Sequence, residues 1–190
     1  MSMASHPMNN GGRPGEEPDS GSGGSGRFAR IDGFVRVGDF EGSATADGHE
    51  GWSNVLGLRL GVERVTGSFI SSDKSVGSVR FDSIAVLKVI DASSVKAFKA
   101  CIDGRKIPKV QIHVLTTLGG KPRVTLEIEL EDVNVCGYEI GGSLDGQSPM
   151  GLEPTDVVEF RFHKVTMTVN KFDATGGSKG KVQEAYTVGS

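Results

Sequence analysis

Apolar and polar residues alternate along most of this chain with the two-residue period of half-buried strands, and at one place the period lengthens to that of a helix. The most regular run sets Leu126, Ile128 and Leu130 against Glu127, Glu129 and Glu131, and continues through Val133 and Val135 to Tyr138. Before it, Val110, Ile112 and Val114 alternate with Gln111 and His113. The segment Leu118-Gly119-Gly120-Lys121-Pro122 between the two predicts a turn, so the pair reads as a hairpin. Further on, Val158, Phe160 and Phe162 alternate with Glu159, Arg161 and His163. Past His163-Lys164 the phase slips to Val165, Met167 and Val169, which predicts a bulge. Nearer the start, residues 28–31 alternate and a turn is expected at Asp32-Gly33. Residues 52–62 place Leu56, Leu58, Leu60 and Val62 on one face and Val55, Gly57, Arg59 and Gly61 on the other. Residues 182–188 predict a last strand, and residues 38–51, 66–78, 141–154 and 174–181 predict loops.

The helical exception is residues 91–108. Val95, Phe98 and Ile102 recur at i, i+3 and i+7, with Ala97 and Cys101 widening the stripe, while Lys96, Lys99 and Arg105 fall away from it. Asp91, Ser93 and Ser94 offer oxygens to the first amides, Gly104 suits the left-handed position past the end, and Pro108 bars a restart. A lone amphipathic helix among strands is expected to bury its stripe on a sheet. The fold class is therefore mainly β: an antiparallel β-barrel or two packed sheets with one α-helix on the side.

Composition adds a boundary. Residues 1–26 hold Gly, Ser, Pro and Asn with few apolar side chains, so a disordered tail is expected there and a folded domain over 27–190. The tail contains a literal G-x-G-x-x-G at Gly21 to Gly26, but no strand precedes it, so it reads as linker rather than a dinucleotide loop. The 190 residues carry a formal charge of -3, which argues against gripping nucleic acid or an anionic membrane. No apolar run suits a signal peptide or a membrane span. Cys101 and Cys136 are expected to be reduced, buried thiols.

Catalytic and metal chemistry find little support. His49, His113 and His163 are spread over a loop and two strands and read as surface histidines. Glu127, Glu129 and Glu131 form one solvated strand face, and neither a nucleophile elbow nor a phosphate-binding loop is present. No cofactor is implied. Exposed sheet edges and long Gly-rich loops suggest a partner, most simply further copies of the same chain. The rival class is a monomeric β-sandwich binding module, which would want clustered exposed aromatics. The chain has one Trp and two Tyr, none adjacent.

The order of the pieces adds a resemblance. Phe28-Ala29-Arg30-Ile31-Asp32-Gly33, then Phe40-Glu41-Gly42-Ser43, His49-Glu50-Gly51-Trp52 and the run from Val55 to Val62 resemble the opening of the haemolysin-coregulated protein (Hcp) family of type VI secretion. Asp91-Ala92-Ser93, Phe98-Lys99-Ala100-Cys101 and Gly104-Arg105-Lys106-Ile107-Pro108 resemble its central helix, with Ser94 where the family has Pro. Leu130-Glu131-Asp132-Val133, Tyr138 to Ser143, and Pro154 to Val165 resemble its later strands. Residues 34–40 read as an insertion in the first loop, and residues 1–26 lie outside the pattern. The resemblance implies a non-enzymatic tube subunit. Its homohexameric rings would stack, carry small effectors in the lumen, meet a spike protein and a contractile sheath, and leave the bacterial cytoplasm without a signal peptide. It makes Arg59 a candidate lumen or cargo contact, against an ordinary surface arginine. It also makes Gly42, Ser43, His49 and Gly51 in one loop, and Ser71, Ser72 and Asp73 in the other, candidate contacts between subunits or rings.

Overall fold

A computed structural model describes residues 29–64, 79–141 and 154–188. The strands are β1 (Ala29–Val37), β2 (Ser53–Arg59), β3 (Val62–Arg64), β4 (Val79–Phe81), β5 (Ile84–Val89), β6 (Lys106–Leu118), β7 (Lys121–Ile140), β8 (Thr155–Arg161), β9 (Lys164–Phe172) and β10 (Ser178–Thr187). One helix, α1 (Ala92–Asp103), lies between β5 and β6. The main sheet runs β10-β9-β7-β6-β1-β2-β5-β8, and a further β7–β8 pairing closes six of these strands into an antiparallel barrel. β9 and β10 extend outward from it, and β3–β4 form a separate two-stranded ribbon. Among the described residues, no helix is long and apolar enough to cross a membrane.

The barrel interior is a packed core. Val35, Val55, Ile84, Val86, Val110, Ile112, Ile128, Leu130, Val158 and Phe160 are buried there, as alternating strands of a small barrel require. The β6–β7 hairpin turns at Gly119 and Gly120, whose φ values of 57 and 75° are those of the tight turn that matches strand twist. β7 serves two neighbours along one edge: Leu126 to Glu131 pair with β9, and Asn134 to Ile140 pair with β8. Asp132 stands at the changeover with φ 52°, and it shifts the inward phase from Leu130 to Val133.

Three expectations are corrected. No turn occurs at Asp32-Gly33: both residues belong to β1, as do residues 34–37. Gly33 is needed there because a Cβ would stand 2.3 Å from the His113 carbonyl oxygen across the ladder. In β2 the register shifts between Val55 and Gly57, so Val55 and Leu58 both meet the core while Leu56 joins a smaller cluster with Ala85, Leu87 and Val157. The phase change near His163 is a corner between β8 and β9 rather than a bulge.

The largest correction concerns α1. Val95, Phe98 and Ile102 are 72%, 50% and 69% exposed, whereas Ser93, Ser94, Ala97 and Ala100 face the barrel. Small side chains let the helix backbone approach the sheet closely, and a polar knot fixes its start. Asp91 caps the helix by accepting from the Ser93 amide at 3.0 Å, and the Asp91 amide donates to Ser94 Oγ at 3.0 Å. Lys88, fully buried on β5, donates to Ser94 Oγ at 2.7 Å and to Asp91 Oδ1 at 3.2 Å, and its Nζ lies 3.3 Å from Asp156 Oδ1. Tyr138 Oη donates to the other Asp156 oxygen at 3.0 Å. The Tyr138 hydroxyl is accordingly pushed up to about 12, by burial first and by the Asp156 charge second. Burial alone would raise the Asp91 carboxyl, but bonds from Ser93, Ser53 and Lys88 bring it below the ordinary range.

Replacing Lys88 by Met strands two carboxylates in the interior. Lys88→Met is expected to destabilise the protein by about 3–5 kcal/mol, the cost of breaking a buried pair from one side. Denaturant unfolding measures it, and a midpoint equal to that of the parent would contradict the role given to this ammonium.

Candidate functional site

Residues 38–52 fold back on their own barrel. The Gly42 amide donates to the Gly51 carbonyl at 2.8 Å, Ala44 to Trp52 at 2.8 Å, and Gly51 to Ala44 at 2.9 Å. The Ser43 amide reaches Asp91 Oδ2 at 3.2 Å, tying the loop to the start of α1. Phe40 and Ala44 are buried, while Glu41, Ser43, Asp47, Gly48 and Glu50 face outward. Gly42, Ser43, His49 and Gly51 therefore share one tethered loop, with Ser43 exposed and His49 buried.

His49 holds that loop down. Its Nε2 lies 2.8 Å from His113 Nδ1 on β6. The His49 ring stacks on Phe34 with centroids 4.4 Å apart and meets the edge of Trp52 at 5.0 Å; Trp52 and His113 lie 4.7 Å apart. The surface-histidine expectation is thus corrected for His49, which is buried, and for His113, which is half-covered. Cross-strand pairing does not advertise such a contact, because the partner comes from a loop 64 residues away. One ring must donate and the other accept. Burial lowers the His113 pKa below its ordinary 6.5, the charge His49 can carry lowers it further, and Glu127 on β7 pulls the other way. Among the described residues, no three His, Cys, Asp or Glu side chains gather as metal ligands.

Arg59 lies on the outward side of β2, half-exposed. Its Nη2 is 2.9 Å from Glu159 Oε1 on β8, and Ser83 Oγ donates to Glu159 Oε2 at 2.9 Å. The guanidinium is thus held at a defined place and still reaches solvent. Ser71, Ser72 and Asp73 lie outside the described residues. Cys101 and Cys136 are free thiols, but Cys136 is exposed on β7, against the expectation that both are buried. A shallow cleft of about 450 Å³ opens at the β8–β9 corner, lined by Lys106, Asp132, Asn134, Arg161, Phe162, His163 and Val188. Nothing in it pairs a nucleophile with a base.

Comparisons with known proteins converge on one family. The family described as "Type VI secretion system effector, Hcp" matches residues 28–169. Among solved structures, one described as a type six secretion system protein is similar over 83% of this chain and 96% of its own, at 24% identity and a TM-score of 0.72. A type VI secretion system effector from Yersinia pestis is 21% identical, covering 83% of this chain and 100% of its own, with a TM-score of 0.62. Hcp1 from Salmonella typhimurium is 21% identical over 84% of this chain and 95% of its own, with a TM-score of 0.63. No curated protein sequence matches the chain at a significant level.

The His49–His113 contact predicts a pH dependence. The folded state holds His113 below its ordinary pKa, so below about pH 6.5 the unfolded chain binds more protons than the folded one. Stability from this group is therefore present above that pH and is lost progressively as the pH falls through the range beneath it. Thermal unfolding followed from about pH 7.5 to about pH 5 should show the loss, and His113→Gln should flatten it. An unchanged slope in the variant would mean that the pair does not carry the dependence.

Proposed function

The chain belongs to the Hcp family of type VI secretion tube proteins, and we propose that it acts as the subunit from which such a tube is built. Copies close into hexameric rings, rings stack into a hollow tube, small effector proteins ride in the lumen, and the assembly is exported from the bacterial cytoplasm together with its cargo. A spike protein at the tip and a contractile sheath around the tube are the partners this reading implies. The role is structural rather than catalytic.

The single observation that carries the reading is the family match, which spans the strands of the barrel and α1. The protomer is consistent with it in physical terms. The barrel is filled by its own side chains, so any channel must lie between copies rather than within one. The edge strand β10 is exposed along most of its length, and an exposed edge is a natural place for another chain to pair.

Within this reading Arg59 faces the lumen and touches cargo, with Glu159 fixing its direction. Light scattering coupled to size exclusion, with imaging of the peak, tests the assembly: a mass near six chains and rings with an open centre are expected, and a clean monomer at high concentration would overturn it. Arg59→Glu should leave the rings intact and reduce co-purifying effector several-fold. Retention equal to the parent would remove Arg59 from the lumen contacts.

A further inference from the structure

The chain holds two cysteines, and the contact between α1 and β7 sets them opposite each other. The Phe98 ring meets the Tyr138 ring with centroids 5.5 Å apart. Further along, Asn134 Nδ2 donates to the Gly104 carbonyl at 3.2 Å. Cys101 stands midway between Phe98 and Gly104 on the helix, and Cys136 midway between Asn134 and Tyr138 on the strand. The helix rises about 9 Å over its stretch, and the strand covers about 13 Å over its own. Two elements pinned at both ends of so short a span bring their middle residues together. Cys101 follows Phe98 by one helical step of i, i+3, so both lie on the flank of α1 that meets β7. Ala97 and Ala100, buried beside that flank, let the helix backbone come near. Close approach matters, because a disulfide needs its Cα atoms within about 7 Å of each other.

Cys136 also stands outside the strand ladder. Val135 pairs with Phe160 and Gly137 with Glu159, which leaves Cys136 as the extra residue of a bulge. Its thiol makes a weak bond, 3.5 Å to the Glu159 carbonyl oxygen. Cys136 is exposed, whereas Cys101 is half-buried. The two thiols feel each other. Burial pushes the Cys136 thiol up, Glu159 adds to this, Arg161 pulls it down, and the charge that Cys101 can carry raises it again.

We propose that Cys101 and Cys136 are a dithiol that a small-molecule disulfide, such as oxidised glutathione, converts to an internal disulfide stapling α1 to β7. The exposed Cys136, as thiolate, attacks one sulfur of the oxidant. That S–S bond breaks, and one glutathione leaves as thiolate with the electron pair. The Cys101 thiolate then attacks Cys136 Sγ, the mixed disulfide breaks, and the second glutathione leaves. The chain is oxidised by two electrons and the oxidant is reduced to two thiols, which take up the two protons the cysteines lose. The site itself does not depend on assembly. Its timing alone rests on the tube reading: a chain built where thiols are kept reduced, and then exported, meets the oxidant outside.

Purified full-length protein incubated with oxidised glutathione tests the pair by intact mass. The parent should become lighter by two hydrogens, about 2 Da, and a tryptic digest should show residues 100–105 joined to residues 124–161. Its thermal midpoint should rise by roughly 5 °C or more, and dithiothreitol should reverse both changes. Cys101→Ser should stop at the mixed disulfide, one glutathione heavier. Cys136→Ser should react at least about tenfold more slowly, because its remaining thiol is half-buried. The parent's first step should speed up about tenfold from about pH 7 to about pH 8, since a thiol whose pKa is pushed up is still mostly protonated there. A parent that stops at the mixed disulfide, or that cross-links two copies instead, would overturn the proposal while leaving the tube reading standing. So would Cys136→Ser reacting as fast as Cys101→Ser. An internal disulfide in a parent that forms no rings would uphold the pair and remove only its timing.

Discussion

The fold turns on one buried ammonium. Lys88 places its charge between Asp91 and Asp156, all three side chains almost fully out of water. Removing such charges from water costs several kcal/mol each, and the attraction among them offsets this only with good geometry and further hydrogen bonds. Those bonds are present: Ser93 supplies its amide and hydroxyl to Asp91, Ser94 Oγ accepts from Lys88, and Tyr138 donates to Asp156. Asp156 Oδ1 lies 3.3 Å from the ammonium yet has no hydrogen-bond partner, so that contact is purely Coulombic. The groups come from β5, the start of α1, β7 and β8. A shift in any of these elements disturbs the charge balance of the others, which makes the arrangement specific as well as stable.

The knot also reaches the loop. Asp91 caps α1 through one oxygen and receives the Ser43 amide through the other. His49 pins the same loop to β6 from the opposite side. The loop is thus fastened at two points, one built on a carboxylate and the other on an imidazole. These respond to different conditions, because hydrogen bonds and Lys88 hold the Asp91 carboxyl below the ordinary carboxylate range, whereas burial holds the His113 imidazole below its own.

Much of this was legible in the chain. The alternation of Leu126, Ile128 and Leu130 gave the right face of β7, the Gly119-Gly120 turn gave the hairpin, and Asp91 and Gly104 bracketed the helix. The failures have physical causes. A period of two locates a strand face only while the register holds, and β2 shifts register at Leu56. A Gly within a strand looks like a turn until the backbone pressing on it is known, as at Gly33. The α1 stripe was misassigned because periodicity identifies the apolar face without saying what covers it. Ala97 and Ala100, the small residues that dock, carry less weight than Val95, Phe98 and Ile102. Lys88 and the two histidines were invisible for a related reason: their partners are distant in sequence, and no local pattern announces them.

Asp132 has a consequence beyond the barrel. It holds a left-handed backbone conformation where β7 changes neighbours, one that few side-chain-bearing residues adopt and Asp adopts more readily than most. The strand segment that carries the β9–β10 extension lies on one side of it, and the segment that touches α1 lies on the other. The left-handed backbone at Asp132 therefore marks the junction between these two segments of β7. Because the same residue separates the two pairings of β7, one backbone conformation decides both where the barrel closes and where the β9–β10 extension departs from it.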